Sequence, residues 1–288
     1  MNRLFCFGLG FSAETLARRL AAKGWSIAGT ARDPANIERL RDQGYEICRF
    51  AGESGNAGLA AGLAGTTHLL HSIPPGNEGD PVLRHYRAEI VGLPSLEWIG
   101  YLSTVGVYGN QEGAAVDETT APRPPNERTK ARVVAESGWL AFGEGSGRPV
   151  QVFRLAGIYG PGRSALDKLR AGTARRIVKS GQVFNRIHVE DIASVLEASI
   201  TRPRAGAIYN VADDEPAPPE DVITYGAELL GVEPPPEVAF EEAELSPMAR
   251  SFYGDSRRIS NALIKSELGV RLAFPNYREG LKALASQA

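Results

Sequence analysis

The sequence predicts an α/β protein, a doubly wound parallel sheet followed by a smaller C-terminal lobe. Three observations carry that prediction. The chain opens on a buried-strand pattern, a glycine turn and a helix start. Apolar strand-like runs then alternate with helical stretches as far as Leu155. Past Leu155 the alternation gives way to short, turn-rich pieces. Strand and helix in alternation demand right-handed crossovers, and hence a sheet with helices on both faces.

Composition bounds the rest. A chain of 288 residues suits a large α/β domain with a smaller lobe. Hydrophobic residues at 43% and charged residues at 23% are ordinary for a globular protein. A formal net charge of −2 gives no electrostatic case for nucleic acid or a membrane surface as partner. No apolar run reaches about 18 residues, so no transmembrane helix is expected. The N-terminus begins directly on a strand pattern, and no cleavable signal is expected. Cys6 and Cys48 are the only cysteines. Both lie in apolar runs and read as buried free thiols of a reducing cytoplasm, the expected location. No metal site is expected, because no cluster has ligand spacing.

The first strand is Arg3-Leu4-Phe5-Cys6-Phe7. Gly8-Leu9-Gly10-Phe11-Ser12-Ala13 then fits G-x-G-x-x-A, and Ala13, Leu16, Ala17 and Leu20 follow at helical period. In such a turn Gly8 allows the tight bend, Gly10 lets the backbone approach a pyrophosphate, and Ala13 lets helix and strand pack closely. The free N–H groups at the helix start, Phe11 and Ser12 among them, would hold the phosphates. A dinucleotide site is therefore expected; a plain strand–helix turn is the alternative. A second strand over 24–30 leads to Ala31-Arg32-Asp33-Pro34. About 20 residues past the glycine turn, an NAD site places a carboxylate on the ribose hydroxyls. Ala31 stands there instead, and Arg32 can fork onto a 2′-phosphate. NADP is expected ahead of NAD, with Thr30 adding a hydroxyl contact. Asp33 before Pro34 reads as a helix cap.

Further on, a helix is expected over 37–43, a strand over 45–50 and a short helix over 56–63. The strand over 67–72 ends at Ile73-Pro74-Pro75-Gly76; its His68 and His71 read as satisfied buried histidines. A helix over 80–92 has Leu83, Tyr86 and Ile90 as its stripe. A strand over 96–102 precedes Ser103-Thr104-Val105-Gly106-Val107-Tyr108-Gly109. A polar loop covers 110–126, a helix 127–142 and a sixth strand 150–155. Then come a turn-rich connector (156–163), a short helix (166–171), a short strand (183–187), a helix to Ile200, a strand (207–211) and helices over 221–230 and 259–268. Pro234-Pro235-Pro236 reads as a loop. Residues 1–156 with 186–212 would form a Rossmann-like dinucleotide-binding domain. Residues 157–185 with 213–288 would form a small substrate-binding lobe.

Three stretches, Gly8-to-Ala13, Ser103-to-Gly109 and Arg154-to-Pro161, together resemble the extended short-chain dehydrogenase/reductase family, also called the NAD-dependent epimerase/dehydratase family. His188-Val189-Glu190-Asp191 and the closing Leu268-Gly269-Val270 with Tyr277-to-Leu281 add to the likeness. The resemblance implies that the Thr104 hydroxyl bonds the substrate's reacting oxygen. It implies that Lys130 holds the nicotinamide ribose, as the lysine of a Tyr-x-x-x-Lys pair. The tyrosine slot is then Asn126, and an amide cannot exchange a proton near neutral pH. Gly157 stands where the family commonly has a substrate-contacting Asn. The chain thus resembles an atypical branch without the usual relay; a water held by Asn126 and Thr104 is one substitute. Arg163 and Arg186 would line a substrate cleft. Tyr108, His188 and Asp191 read as structural, the last two as helix caps.

The expected function is an NADP-dependent oxidoreductase or epimerase-like enzyme on a small carbonyl or nucleotide-sugar-type substrate. The alternative is a non-catalytic NADP(H)-binding regulatory or sensor protein. A monomer or a homodimer is expected. The family pairs through the helices at 80–92 and 127–142, but Gly138 and the glycines of 143–147 read as making the second one short.

Overall fold

The computed structural model describes residues 2–52, 54–55 and 57–286. Its central sheet has seven strands. Five are β1 (Arg3–Phe7), β2 (Ser26–Ala31), β3 (Glu46–Arg49), β4 (His68–His71) and β5 (Trp98–Thr104); the others are Val150–Leu155 and Ile208–Val211. From one edge the order is Ile208–Val211, Val150–Leu155, β5, β4, β1, β2, β3. Strand β1 pairs in parallel with β2 and β4, β2 with β3, and β4 with β5. The winding reverses between β1 and β4, so their carboxyl ends form the crevice where ligands of such sheets bind.

The helices α1 (Phe11–Ala21), α2 (Pro34–Asp42), α3 (Ala57–Gly62), α4 (Pro81–Val91) and α5 (Glu127–Ser146) connect these strands. One face of the sheet buries Phe5, Phe7, Leu69, Ile99 and Tyr101 against Leu59 of α3, Tyr86 of α4 and Trp139 of α5. The period-2 alternation of β1 and β5 produces that face. The Asn56 expected to open α3 lies outside the described residues. Val82, fully buried, joins the α4 stripe, and Leu83, half-buried, packs against the same core. Asp80 caps α4, its Oδ1 accepting from the Val82 and Leu83 amides at 3.0 Å. His71 and His68 are buried and partnered, His71 Nε2 by Asp80 Oδ2 at 2.7 Å and His68 Nδ1 by the Thr67 hydroxyl at 2.8 Å.

The helix α5 is longer than expected: twenty residues, passing Gly138, Gly143 and Gly145 without a break. Gly138 and Gly143 mark close packing rather than an end. A Cβ on Gly138 would stand 3.3 Å from Leu83 Cδ1, and one on Gly143 2.9 Å from Val150 Cγ2. The helix stops at Gly147, whose φ of 68° is the left-handed turn that glycine permits.

The chain divides into two compact units. The first comprises Met1–Val107, Asn126–Arg154 and Ala193–Tyr209; the second comprises Tyr108–Pro125, Leu155–Ile192 and Asn210–Ala288. The second is knit from short parallel pairs: Gly157–Tyr159 with Arg186–His188, Arg176–Val178 with Glu237–Ala239, and Ala115–Val116 with Arg258–Ile259. The connector expected over 156–163 thus holds a strand, and the strand expected over 183–187 lies later. The helix expected over 259–268 is reduced to Ala262–Ser266, because the Arg258 and Ser260 amides bond the Ala114 and Val116 carbonyls instead. Helices Ala165–Arg170, Pro219–Leu230 and Tyr277–Ser286 bury Leu166, Val222, Tyr277 and Leu281. Among the described residues no helix is long and apolar enough to cross a membrane, and no group of three ligating side chains could hold a metal ion.

Candidate functional site

The glycine turn follows β1 at the point where the sheet reverses. Gly8 has φ +83°, a conformation that costs an L side chain dearly, and a Cβ there would stand 2.9 Å from Ser72 Oγ and Ile73 Cγ1. Its amide donates to Thr30 Oγ1 at 2.8 Å, and the Leu9 amide donates to the Thr30 carbonyl at 2.7 Å. Just past β4, Ser72 Oγ donates to the Gly8 carbonyl at 2.5 Å. The bend is therefore fixed from both neighbouring strands. Gly10 caps α1 without a side chain, and a Cβ there would meet nothing within 4 Å. Ala13, 1% exposed, lies against the sheet, with Ser12 buried and Phe11 half-buried beside it.

Thr30 is corrected by this geometry. It is fully buried and its hydroxyl accepts from Gly8, so it shapes the turn from behind instead of touching a ligand. Arg32 is exposed at the end of β2, and Asp33 caps α2, accepting from the Asn36 amide at 3.0 Å.

Thr104 ends β5 half-buried, its Oγ1 accepting from the Gly106 amide at 3.1 Å. Next to it, Ser103 Oγ donates to Glu136 Oε1 at 2.5 Å, and Arg154 Nη2 bonds Glu136 Oε2 at 2.7 Å. This buried ion pair ties α5 to two strands of the sheet. Sequence reading passed over Glu136, whose pairing with Arg154 needs the fold to bring them together. Asn126 is the N-cap of α5. Its Oδ1 accepts from the Thr129 amide at 3.0 Å, within a reciprocal capping box. That oxygen already serves the cap, which leaves the amide nitrogen as the group without a partner among the described residues. Lys130 is exposed, with Nζ 2.7 Å from Glu127 Oε1.

In the second unit, Arg163 is exposed in a turn closed by its own backbone bonds to Gly160. Arg186 is largely internal. Its Nη1 donates to the Phe184 and Ala217 carbonyls at 2.9 and 3.1 Å, and burial presses its pKa below the arginine range. That nitrogen is a strut between the two carbonyls. Asp213, 2% exposed, has its carboxyl pushed up to about 8 by burial, the Arg186 cation opposing. Asp191 accepts the Ala273 and Phe274 amides at 2.7 and 3.0 Å. Tyr108 is structural, its hydroxyl donating to Asn210 Oδ1 at 2.8 Å. A Cβ on Gly157 would stand 3.1 Å from the Asn185 carbonyl, so that slot is tight.

No family model matches the chain. A functionally unknown conserved protein from Silicibacter pomeroyi DSS has a solved structure with 50% identity and a TM-score of 0.90, covering 100% of this chain and 99% of its own. Protein YeeZ of Escherichia coli (strain K12) is 29% identical, covering 96% of this chain and 97% of its own. The dTDP-glucose 4,6-dehydratase of Bacillus anthracis str. Ames, solved in complex with NAD, is 18% identical with a TM-score of 0.77, covering 99% of this chain and 96% of its own. The last likeness is one of fold, and it matches the seven-stranded Rossmann-like sheet described above. By 50% identity over its full length, the chain belongs to the same family as the Silicibacter pomeroyi protein.

Proposed function

We propose that the first unit binds a nicotinamide dinucleotide at the Gly8-to-Ala13 turn, NADP ahead of NAD. The chain is then an oxidoreductase or epimerase-like enzyme for a small carbonyl or nucleotide-sugar-type substrate, working without the catalytic tyrosine. The observation that carries this reading is Gly10. Its φ of −105° and ψ of −166° suit any residue, and a Cβ would touch nothing. The fold does not require glycine there, whereas a pyrophosphate lying on the helix start does. The residues present fit the group: the amides after Gly10 would face the phosphates, Arg32 the 2′-phosphate, Lys130 the ribose and Thr104 a substrate oxygen. When bound, the nicotinamide supplies hydride transfer. The protein's own part is to hold the dinucleotide and to donate a hydrogen bond from Thr104 Oγ1.

Gly10→Val tests this. The poorer valine N-cap should lower its melting temperature only slightly, while calorimetric titration with NADPH should show binding weakened by about a hundredfold or more, since a branched side chain keeps the phosphates off the amides. Unaltered NADPH affinity in Gly10→Val would falsify the site. The second reading, a non-catalytic NADP(H) sensor, is favoured by the engagement of Asn126 Oδ1 in the cap. Oxidation of NADPH across a panel of carbonyl compounds and nucleotide sugars separates the two.

A further inference from the structure

Two arginines stand at the neighbouring ends of β2 and β3. Ala31 pairs with Arg49 in parallel register, and the Phe50 amide donates to the Ala31 carbonyl at 3.1 Å. Neighbouring strands lie about 4.8 Å apart, so Arg32 and Arg49 spring from adjoining backbone. Phe50 turns into the core on the α3 and α4 side, which leaves Arg49 on the opposite face, the one Ala31 shares. Both arginines are exposed, and among the described residues neither side chain has a hydrogen bond or an ion pair.

The other arginines of this edge are partnered. Arg3 binds Glu46 at 2.8 Å, Arg39 binds Glu14 at 2.6 Å, and Arg41 binds the Ile47 carbonyl at 2.7 Å. Asp33, adjacent to Arg32, has Oδ2 engaged by the Asn36 amide. Like charges on neighbouring strands oppose each other. Two exposed guanidinium groups without an ion-pair partner among the described residues thus stand at the carboxyl ends of β2 and β3, on the side of the sheet where the glycine turn lies.

We propose that Arg32 and Arg49 together clamp the 2′-phosphate of NADP, with Arg49 as the second specificity-determining arm. This rests on the dinucleotide reading above. A phosphate offers three oxygens to two planar forks. The hydroxyl of NAD at the same place would leave the two cations facing each other.

The test uses the full chain, as wild type, Arg32→Ala, Arg49→Ala and the double variant. Each is titrated calorimetrically with NADPH and NADH, and with adenosine 2′,5′-bisphosphate and 5′-AMP as fragments that carry no nicotinamide. Arg49→Ala should weaken NADPH and the bisphosphate by about tenfold or more, and NADH and 5′-AMP by less than about twofold. Added salt should narrow the wild-type preference and leave the double variant unmoved. Both side chains are exposed, so melting temperatures should match and exclude a folding defect. If Arg49→Ala keeps the NADPH-to-NADH ratio while Arg32→Ala lowers it, the second arm is overturned and the cofactor reading stands. If wild type binds neither nucleotide, the cofactor reading falls and the clamp falls with it.

Discussion

Thr30 shapes the turn after β1 from the next strand, through one hydroxyl and one carbonyl. Thr30→Val keeps the volume and deletes the acceptor of the Gly8 amide. A buried donor left without a partner costs about 1–3 kcal/mol, so urea unfolding should show a loss of that order, with weaker NADPH binding. Asp213 makes stability depend on pH. Its carboxyl ordinarily titrates at 3.8 and is pushed up to about 8. The folded chain therefore keeps a proton that the unfolded chain has released, and stability falls as pH rises across that interval. His188 acts with the opposite sign, because burial takes it from 6.5 down to about 4 and its contribution is lost as pH falls through that range. Between pH 6.5 and 8 only the Asp213 effect remains of the two. Melting curves over that window should slope downward for wild type and flatten for Asp213→Asn; an equal slope in both would refute the assignment.

At the scale of elements, the glycines of α5 separate what sequence shows from what packing decides. Gly145 is exposed, and a Cβ there meets nothing, so Gly145→Ala should stabilise by about 1 kcal/mol through helix propensity. Gly143 faces Val150 and the Arg148 carbonyl at 2.9 and 3.0 Å, so Gly143→Ala should instead cost about 1–3 kcal/mol. Chemical denaturation of the two variants checks the opposite signs. The same contrast explains what was legible. Arg3–Phe7 and Val150–Leu155 stand in the sequence as apolar runs with the bounds the structure gives them. Helix α5 looked short because propensity cannot register that Gly138 and Gly143 admit close neighbours. Strands of two or three residues, such as Arg258–Ile259, hold no periodicity and exist only through their partners. Of the candidate site, the glycine turn was legible from its spacing. The Thr30 contact and the Arg49 position both needed strand register, which no local pattern supplies. Asn126 was legible as a departure from the family; its work as a cap appeared only with Thr129 in place.

At the scale of the whole molecule, a ligand of the turn would add to global stability by mass action. At NADPH about one hundred times its Kd, linkage contributes about 2.7 kcal/mol, so the melting temperature should rise with NADPH and rise less with NADH at equal concentration. The interior of β1 offers a reporter of that change. Cys6 is fully buried, with burial raising its thiol pKa, whereas Cys48 is only half-buried. An alkylating reagent can therefore reach Cys6 only when the central strand itself leaves the sheet. Its labelling rate, followed by mass spectrometry with Cys48 as the internal comparison, would time the rare openings of the intact protein without denaturant.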